Sequence, residues 1–253
     1  MTKLYNKSEL SFSLVLIAIY IFGASLCDVL SEIINISKIF TLVFLLIFSS
    51  VLFLWIKNNS LLKKYGLCKP NFNPKKFLYY IPLFVLISTN LWFGIKLNYG
   101  ILESSISVLT MFCVGFVEEI IFRGFLFKSL EKNGIKSAIV ISSITFGFGH
   151  IINLFSNNFE NITSTICQIF YAIAVGFLFV IIFYKGGSLI ACILTHSLVN
   201  ALSIFQNTKT MNVLTEIIVS IIIIIVSISY SIILLKTLNP TKQEVSSSIN
   251  GSK

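Results

Sequence analysis

The chain has few charged residues for its length. Aspartate, glutamate, lysine and arginine together make up 11% of its 253 residues, whereas 56% are hydrophobic. A soluble domain carries roughly a quarter charged residues. The shortage of charge argues against a soluble globular protein, and the apolar segments use most of the length. We therefore predict an all-α, polytopic membrane protein.

The sequence also lacks the short patterns that mark common metal and nucleophile sites. Its five cysteines show no Cys-x-x-Cys spacing, and His-Glu-x-x-His does not occur, so neither a metal site nor a disulfide is indicated. Ser142 and Ser143 stand outside a Gly-x-Ser-x-Gly context, which gives no support to a serine nucleophile. We predict no cofactor.

Eight apolar runs approach the roughly 20 residues that cross a bilayer. The first is too long for a signal peptide and no clean cleavage site follows it, so we expect it to be retained. The predicted transmembrane domain takes residues 1–236, and the polar residues 237–253 are expected to form a disordered cytoplasmic tail. The eight predicted spans are Leu10–Leu26, Ile39–Ile56, Phe77–Phe93, Ile101–Phe127, Ser137–Leu154, Ile162–Tyr184, Ser188–Phe205 and Val213–Leu235.

The lysines predict the orientation of these spans. Of 19 basic residues, Arg123 lies inside a span, which leaves 18 lysines; with both termini in the cytoplasm, 15 of them fall inside and 3 outside. The three are Lys38, Lys96 and Lys209. This asymmetry follows the positive-inside rule. The net charge of +9 is therefore attributed to topology and anionic headgroups, not to nucleic acid.

Three ionisable side chains interrupt the fourth span. Glu119 and Arg123 are four residues apart in the order acid before base, which places them on one helical face as a pair,. Glu118 points about 100° away and has no local partner. Each charge at the centre of a span costs about 2.5–3.5 kcal/mol. Glu118 lies roughly two-thirds of the way along, so we expect a site in the cytoplasmic half, reached from that side.

Two further spans carry polar groups that hydrocarbon normally excludes. The only two histidines are His150 in the fifth span and His196 in the seventh, where Asn200 follows on the same helical face. Such groups are tolerated when they face a bundle interior or a water-filled cavity, so they are expected to converge with Glu118. A carboxylate, two imidazoles and a carboxamide around water make a hydrolytic site.

Other interpretations of these residues remain open at the level of sequence. Glu118, His150 and His196 would also serve as three zinc ligands. Glu119 and Arg123 would also fit a purely structural ion pair, and intramembrane histidines often link helices by hydrogen bonds. A proton pathway is a third interpretation, although no inverted repeat is visible in the sequence.

Three motifs resemble those of the CPBP family, the CAAX proteases and bacteriocin-processing enzymes. The run Glu118–Gly124 resembles the family's EExxxR motif, Phe146–His150 its FxxxH motif and His196–Asn200 its HxxxN motif. The resemblance covers roughly residues 105–202. It implies an eight-span intramembrane endopeptidase of the glutamic type.

The resemblance also implies roles for the matching positions. Glu118 with His150 would activate water, while His196 and Asn200 would stabilise the oxyanion. Glu119 and Arg123 would support the site or contact the substrate, which is expected to be a membrane-associated peptide or lipopeptide. The Ile-, Lys-, Asn- and Phe-heavy composition favours a bacterial cell membrane. The alternatives are a non-catalytic immunity or partner-regulating protein and a zinc metalloprotease using the same residues.

Overall fold

The computed structural model describes residues 1–156, 162–210 and 212–238. Within these ranges the regular structure is helical, and an isolated bridge joins Ile95 to Gln206. The all-α prediction is therefore confirmed for the described chain. Most of the predicted tail, from residue 239 onward, lies outside the described residues.

Long helices alternate with short connecting ones. The described α-helices, named in chain order, are α1 Thr2–Lys7, α2 Glu9–Ile33, α3 Ile39–Asn58, α4 Ile81–Ser88, α5 Ile101–Glu118, α6 Lys128–Glu131, α7 Ile135–Gly149, α8 Ile152–Ser156, α9 Ile162–Gly186, α10 Ile190–Ser203 and α11 Val213–Thr237. A π-helical segment, Glu119–Phe127, continues α5 into α6, and 3-10 turns form Pro74–Tyr80, Thr89–Leu91 and Thr208–Thr210.

Six described helices are long and apolar enough to cross a membrane. They are Glu9–Ile33, Ile39–Asn58, Ile101–Glu131, Ile135–Leu154, Ile162–Gly186 and Val213–Thr237. The two remaining predicted spans coincide with shorter helices. At 1.5 Å per residue, α4 is about 12 Å long and α10 about 21 Å long. The multi-pass architecture is confirmed, while the count of eight spans remains a prediction.

The third predicted span is broken where Pro82 enters it. A proline ring inside a helix clashes with the carbonyl four residues earlier, here that of Leu78. Residue Leu78 has a φ of 51°, and the two tyrosines that follow also have positive φ. The helix α4 therefore starts only at Ile81, with Pro82 in its first turn, where the missing N–H costs little,.

Two glycines let the motif-bearing helices approach closely. A Cβ atom at Gly115 of α5 would lie 2.7 Å from the backbone nitrogen of Ser197 on α10. A Cβ atom at Gly147 of α7 would lie 2.9 Å from the backbone nitrogen of Ile173 on α9. Real Cβ contacts of this length do not occur, so these crossings require glycine. The fourth and seventh predicted spans, which carry Glu118 and His196, are thereby held together.

Hydrogen bonds between loops define two ends of the bundle. At one end Asn71 donates from its backbone to the carbonyl of Gly186 at 2.8 Å. At the other end Lys96 donates from its backbone to the carbonyl of Phe205, also at 2.8 Å. We call the first the lysine-rich end, because it contains the loop 57–76 with its six lysines.

Candidate active site

The EExxxR motif lies where an α-helix becomes a π-helix. Helix α5 ends at Glu118, and the π-helical segment runs from Glu119 through Phe127. All nine residues of this segment are buried. The buried Ser142 of α7 donates to the carbonyl of Phe122 at 2.8 Å, which ties the segment to the fifth predicted span. Single π-helical turns inside α-helices are frequent at functional sites.

Glu119 and Arg123 form a fully buried ion pair. Nη1 of Arg123 lies 3.3 Å from Oε1 of Glu119, and both side chains have zero exposure. The guanidinium carbon lies 3.8 Å from the ring centroid of Phe146, which adds a cation–π contact,. The pair is thus present as the i,i+4 spacing predicts.

His196 bridges the two acidic side chains. Its Nδ1 lies 2.8 Å from Oε1 of Glu119, and its Nε2 lies 3.6 Å from Oε2 of Glu118. A carboxylate accepts from Nδ1–H, so Glu119 orients the imidazole and turns Nε2 toward Glu118. The structure therefore places His196, from the seventh predicted span, in direct contact with both acids.

Tyr20 contacts Glu118 from the other side. Its phenol donates a hydrogen bond of 2.5 Å to Oε1 of Glu118. Tyr20 lies on α2, outside every motif. A tyrosine in the middle of an apolar span is nevertheless a signal, since a buried phenol normally finds a hydrogen-bond partner.

A cavity of about 460 Å³ contains the carboxyl of Glu118. His150 lies on the wall of the same cavity, together with Tyr20 and Phe146. The predicted partners Glu118 and His150 thus line one cavity, which is large enough for several water molecules,. The cavity continues along α2 as far as Glu32.

A smaller pocket of about 80 Å³ adjoins the cavity. It is lined by His150, His196 and Asn200, and it shares Phe146 and His150 with the cavity. The four predicted catalytic residues are therefore brought together around two neighbouring spaces. Asn200 lies in the pocket and is half-buried, whereas Glu118 lies in the cavity.

The three residues that would serve as zinc ligands, Glu118, His150 and His196, lie around the cavity and the adjoining pocket. Within residues 1–156, 162–210 and 212–238, no group of three His, Cys, Asp or Glu residues is placed to hold a metal ion. Oε2 of Glu118 lies 3.6 Å from Nε2 of His196, while His150 lies on the wall of the cavity that Glu118 also lines.

The arrangement combines a carboxyl, an imidazole held by a second carboxyl, and a carboxamide at the wall of an apolar cavity. Such groups exchange protons with water and donate hydrogen bonds to a developing oxyanion. Ring contacts keep the imidazoles in place. The Phe146 ring lies edge-on to both, at 5.5 Å from His150 and 5.7 Å from His196 between centroids.

Comparison with known proteins identifies the part of the chain that carries these motifs. No curated protein and no solved structure matches the chain. Residues 100–202 match the family model described as type II CAAX prenyl endopeptidase Rce1-like, which spans the three motifs. This match confirms the resemblance to the CPBP family: residues 100–202 are a Rce1-like segment within an all-helical membrane protein.

Proposed function

We propose that the chain is an intramembrane endopeptidase that hydrolyses a peptide bond in a membrane-associated peptide or lipopeptide. One observation carries the proposal. The carboxyl of Glu118 is buried at the base of a cavity, between Tyr20 and His196, with His150 on the same wall. The Rce1-like match over residues 100–202 supports a peptidase of the CAAX type.

In the proposed reaction Glu118 is the general base. Its carboxylate takes a proton from a water molecule that His150 helps to orient, and the water oxygen attacks the scissile carbonyl carbon. The C–O bond forms as the carbonyl becomes an oxyanion. When the C–N bond breaks, the proton held by Glu118 passes to the leaving amine.

His196 and Asn200 are proposed to stabilise the oxyanion. Both line the pocket beside the cavity, from which a protonated Nε2 of His196 and the amide of Asn200 would donate hydrogen bonds. Glu119 holds Nδ1 of His196 and is itself held by Arg123. Glu119 and Arg123 are therefore positioning residues in this scheme.

His150→Ala tests the proposed function directly. Purified protein in lipid nanodiscs should cleave at least one internally quenched lipopeptide in a panel, and the variant should cleave it about 100-fold more slowly. The expected loss reflects the removal of one acid–base partner, which typically contributes 10²–10⁴-fold. The measurement is kcat from the initial rate of fluorescence release.

The matched control is Asn133→Ala, which removes an exposed polar side chain at the far end of the bundle. It should leave the rate unchanged. A strong chelator should also leave the wild-type rate unchanged, because proton transfer is assigned to Glu118. If the chelator abolishes cleavage and zinc restores it, the metalloprotease alternative is favoured. If the wild-type protein cleaves none of the lipopeptides in the panel, the immunity role is favoured.

Tyr20→Phe is expected to lower kcat about tenfold while KM changes little. The variant deletes the hydroxyl that donates to Glu118 and keeps the ring. A hydrogen bond to a charged group contributes about 1.5–3 kcal/mol. A water molecule in the cavity would donate to Glu118 in the variant and recover part of this free energy. The comparison is with Tyr99→Phe, an exposed tyrosine outside the site. Equal rates in wild type and Tyr20→Phe would remove Tyr20 from the mechanism.

A further inference from the structure

The cavity at Glu118 leads away from the lysine-rich end. Its wall runs along α2 from Tyr20 through Ser25 and Asp28 to Glu32. Tyr20 contacts the buried Glu118, whereas Glu32 is exposed. Twelve residues of helix separate Tyr20 from Glu32, so the cavity is about 18 Å deep.

The mouth of the cavity lies where α2 ends and α3 begins. Lys38, one of the three lysines assigned to the outer side, lines it and pairs with Asp28 at 2.8 Å. The short helix α8, which follows α7, contributes Asn153 to the same wall. These polar groups suit an aqueous opening better than a lipid-facing groove.

The opposite direction, from Glu118 toward the lysine-rich end, is packed with apolar side chains. Ile120 and Ile121 have zero exposure, and Phe125 is 2% exposed. The ring of Tyr65, from the lysine-rich loop, lies 4.5 Å from that of Phe125 between centroids. In the described part of the chain, the region between Glu118 and the lysine-rich end is therefore filled by protein side chains.

The charge distribution assigns the lysine-rich end to the cytoplasm. Lys64 and Lys132 both contact Glu9 at this end, at 2.9 and 3.0 Å. Burial alone would lower the pKa of Lys64, but its hydrogen bonds to Tyr5 and Glu9 outweigh burial and raise the pKa. Lys64 therefore stays charged, and a charged lysine favours the cytoplasmic side of the membrane under the positive-inside rule.

We infer that the substrate reaches Glu118 from the non-cytoplasmic face of the membrane. This inference rests on the proposed function and specifies its substrate class. The substrate is a chain end or unwound segment presented outside the cytoplasm, and not a cytoplasmic prenylated tail. An extended chain advances about 3.3 Å per residue, so about five residues fill the depth from Glu32 to Tyr20. The direction is opposite to the cytoplasmic access that the position of Glu118 in its span predicts.

Site-directed thiol labelling tests the inference. Glu32→Cys at the mouth, Ser25→Cys on the cavity wall and Lys132→Cys at the lysine-rich end are each made in the wild-type chain. Intact spheroplasts are treated with a membrane-impermeant methanethiosulfonate, and modification of the introduced cysteine is read by peptide mass spectrometry. We expect Glu32→Cys and Ser25→Cys to be modified from outside, and Lys132→Cys only after permeabilisation.

Leu26→Cys is the matched control for Ser25→Cys. Leu26 is the next residue on α2, is 61% exposed and does not line the cavity, so it should face lipid and react slowly from either side. Modification of Ser25→Cys from outside should also block cleavage of the lipopeptide that the wild type cleaves. Modification of Ser25→Cys only after permeabilisation, or unchanged cleavage after its modification, would overturn the inference. Labelling from outside without any wild-type cleavage would instead overturn the proposed function alone.

Discussion

Glu118→Gln should reduce peptide cleavage to near the detection limit, with a loss in kcat of up to about 10⁴-fold. The substitution keeps the size and the hydrogen-bonding shape of the side chain but removes its ability to take a proton from water. General-base catalysis alone accounts for up to about 10⁴-fold in rate. The measurement is the initial rate on the lipopeptide that gives the highest wild-type activity.

The expected loss is large because nothing else near the cavity replaces this base. Glu119 is fully buried, accepts from Nδ1 of His196 and pairs with Arg123, and it does not line the cavity. Asp28 pairs with Lys38 near the mouth of the cavity, eight residues of helix, or about 12 Å, from Tyr20. Asp28 and Glu32 also line this cavity, but of the three acids that line it Glu118 alone lies beside both Tyr20 and His196.

Glu103→Gln is the matched control on the same helix. Glu103 lies in the first turn of α5, about 22 Å along the axis from Glu118 at 1.5 Å per residue. The Glu103→Gln variant should cleave the lipopeptide at the wild-type rate. Circular dichroism and size-exclusion elution of Glu118→Gln should match the wild type, because glutamine still accepts the hydrogen bond from Tyr20. A folded Glu118→Gln protein with more than a hundredth of the wild-type rate would contradict the assignment.

The local part of the site could be predicted from the sequence. The spacing of Glu119 and Arg123 fixes their mutual geometry within one turn, and the structure places them 3.3 Å apart. The separation of Glu118 from that pair follows from helix geometry in the same way. Both predictions depend only on neighbours along one segment.

Contacts between distant helices could not be predicted in the same way. Tyr20 meets Glu118 across 98 residues of sequence, and His196 rather than His150 touches the acids. Which histidine makes contact depends on how α10 packs on α5. That packing requires a glycine at position 115, because the backbone of Ser197 lies too close for a Cβ atom. The sequence does not show which residue packs against Gly115.

The boundaries of two predicted spans also needed the structure. An apolar run longer than 14 residues is consistent with a span, but hydropathy does not register a backbone break. Pro82 prevents the helix from extending back through Leu78, whose φ is positive. The helix α4 therefore begins only at Ile81 and is short. The start of α4 is therefore set by the steric restriction at Pro82, which a hydropathy pattern does not report.

Arg123→Met is expected to unfold the site and to lower the thermal midpoint by roughly 10 °C. Removing one partner of a buried ion pair costs about 3–5 kcal/mol, because the other charge is left without compensation. Here that charge is the carboxylate of Glu119, which has zero exposure. The midpoint is measured for purified protein in detergent by differential scanning fluorimetry. Lys132→Met, at an exposed lysine, should leave it unchanged.

The double variant Glu119→Gln with Arg123→Met separates stability from catalysis. Neutralising both partners removes the uncompensated charge, so the midpoint should return to within a few degrees of wild type. Cleavage should not return, because glutamine no longer holds Nδ1 of His196 as a carboxylate does and Nε2 loses its orientation toward Glu118. If Arg123→Met alone is as stable as wild type, the pair does not brace the site. If the double variant cleaves normally, Glu119 does not position His196.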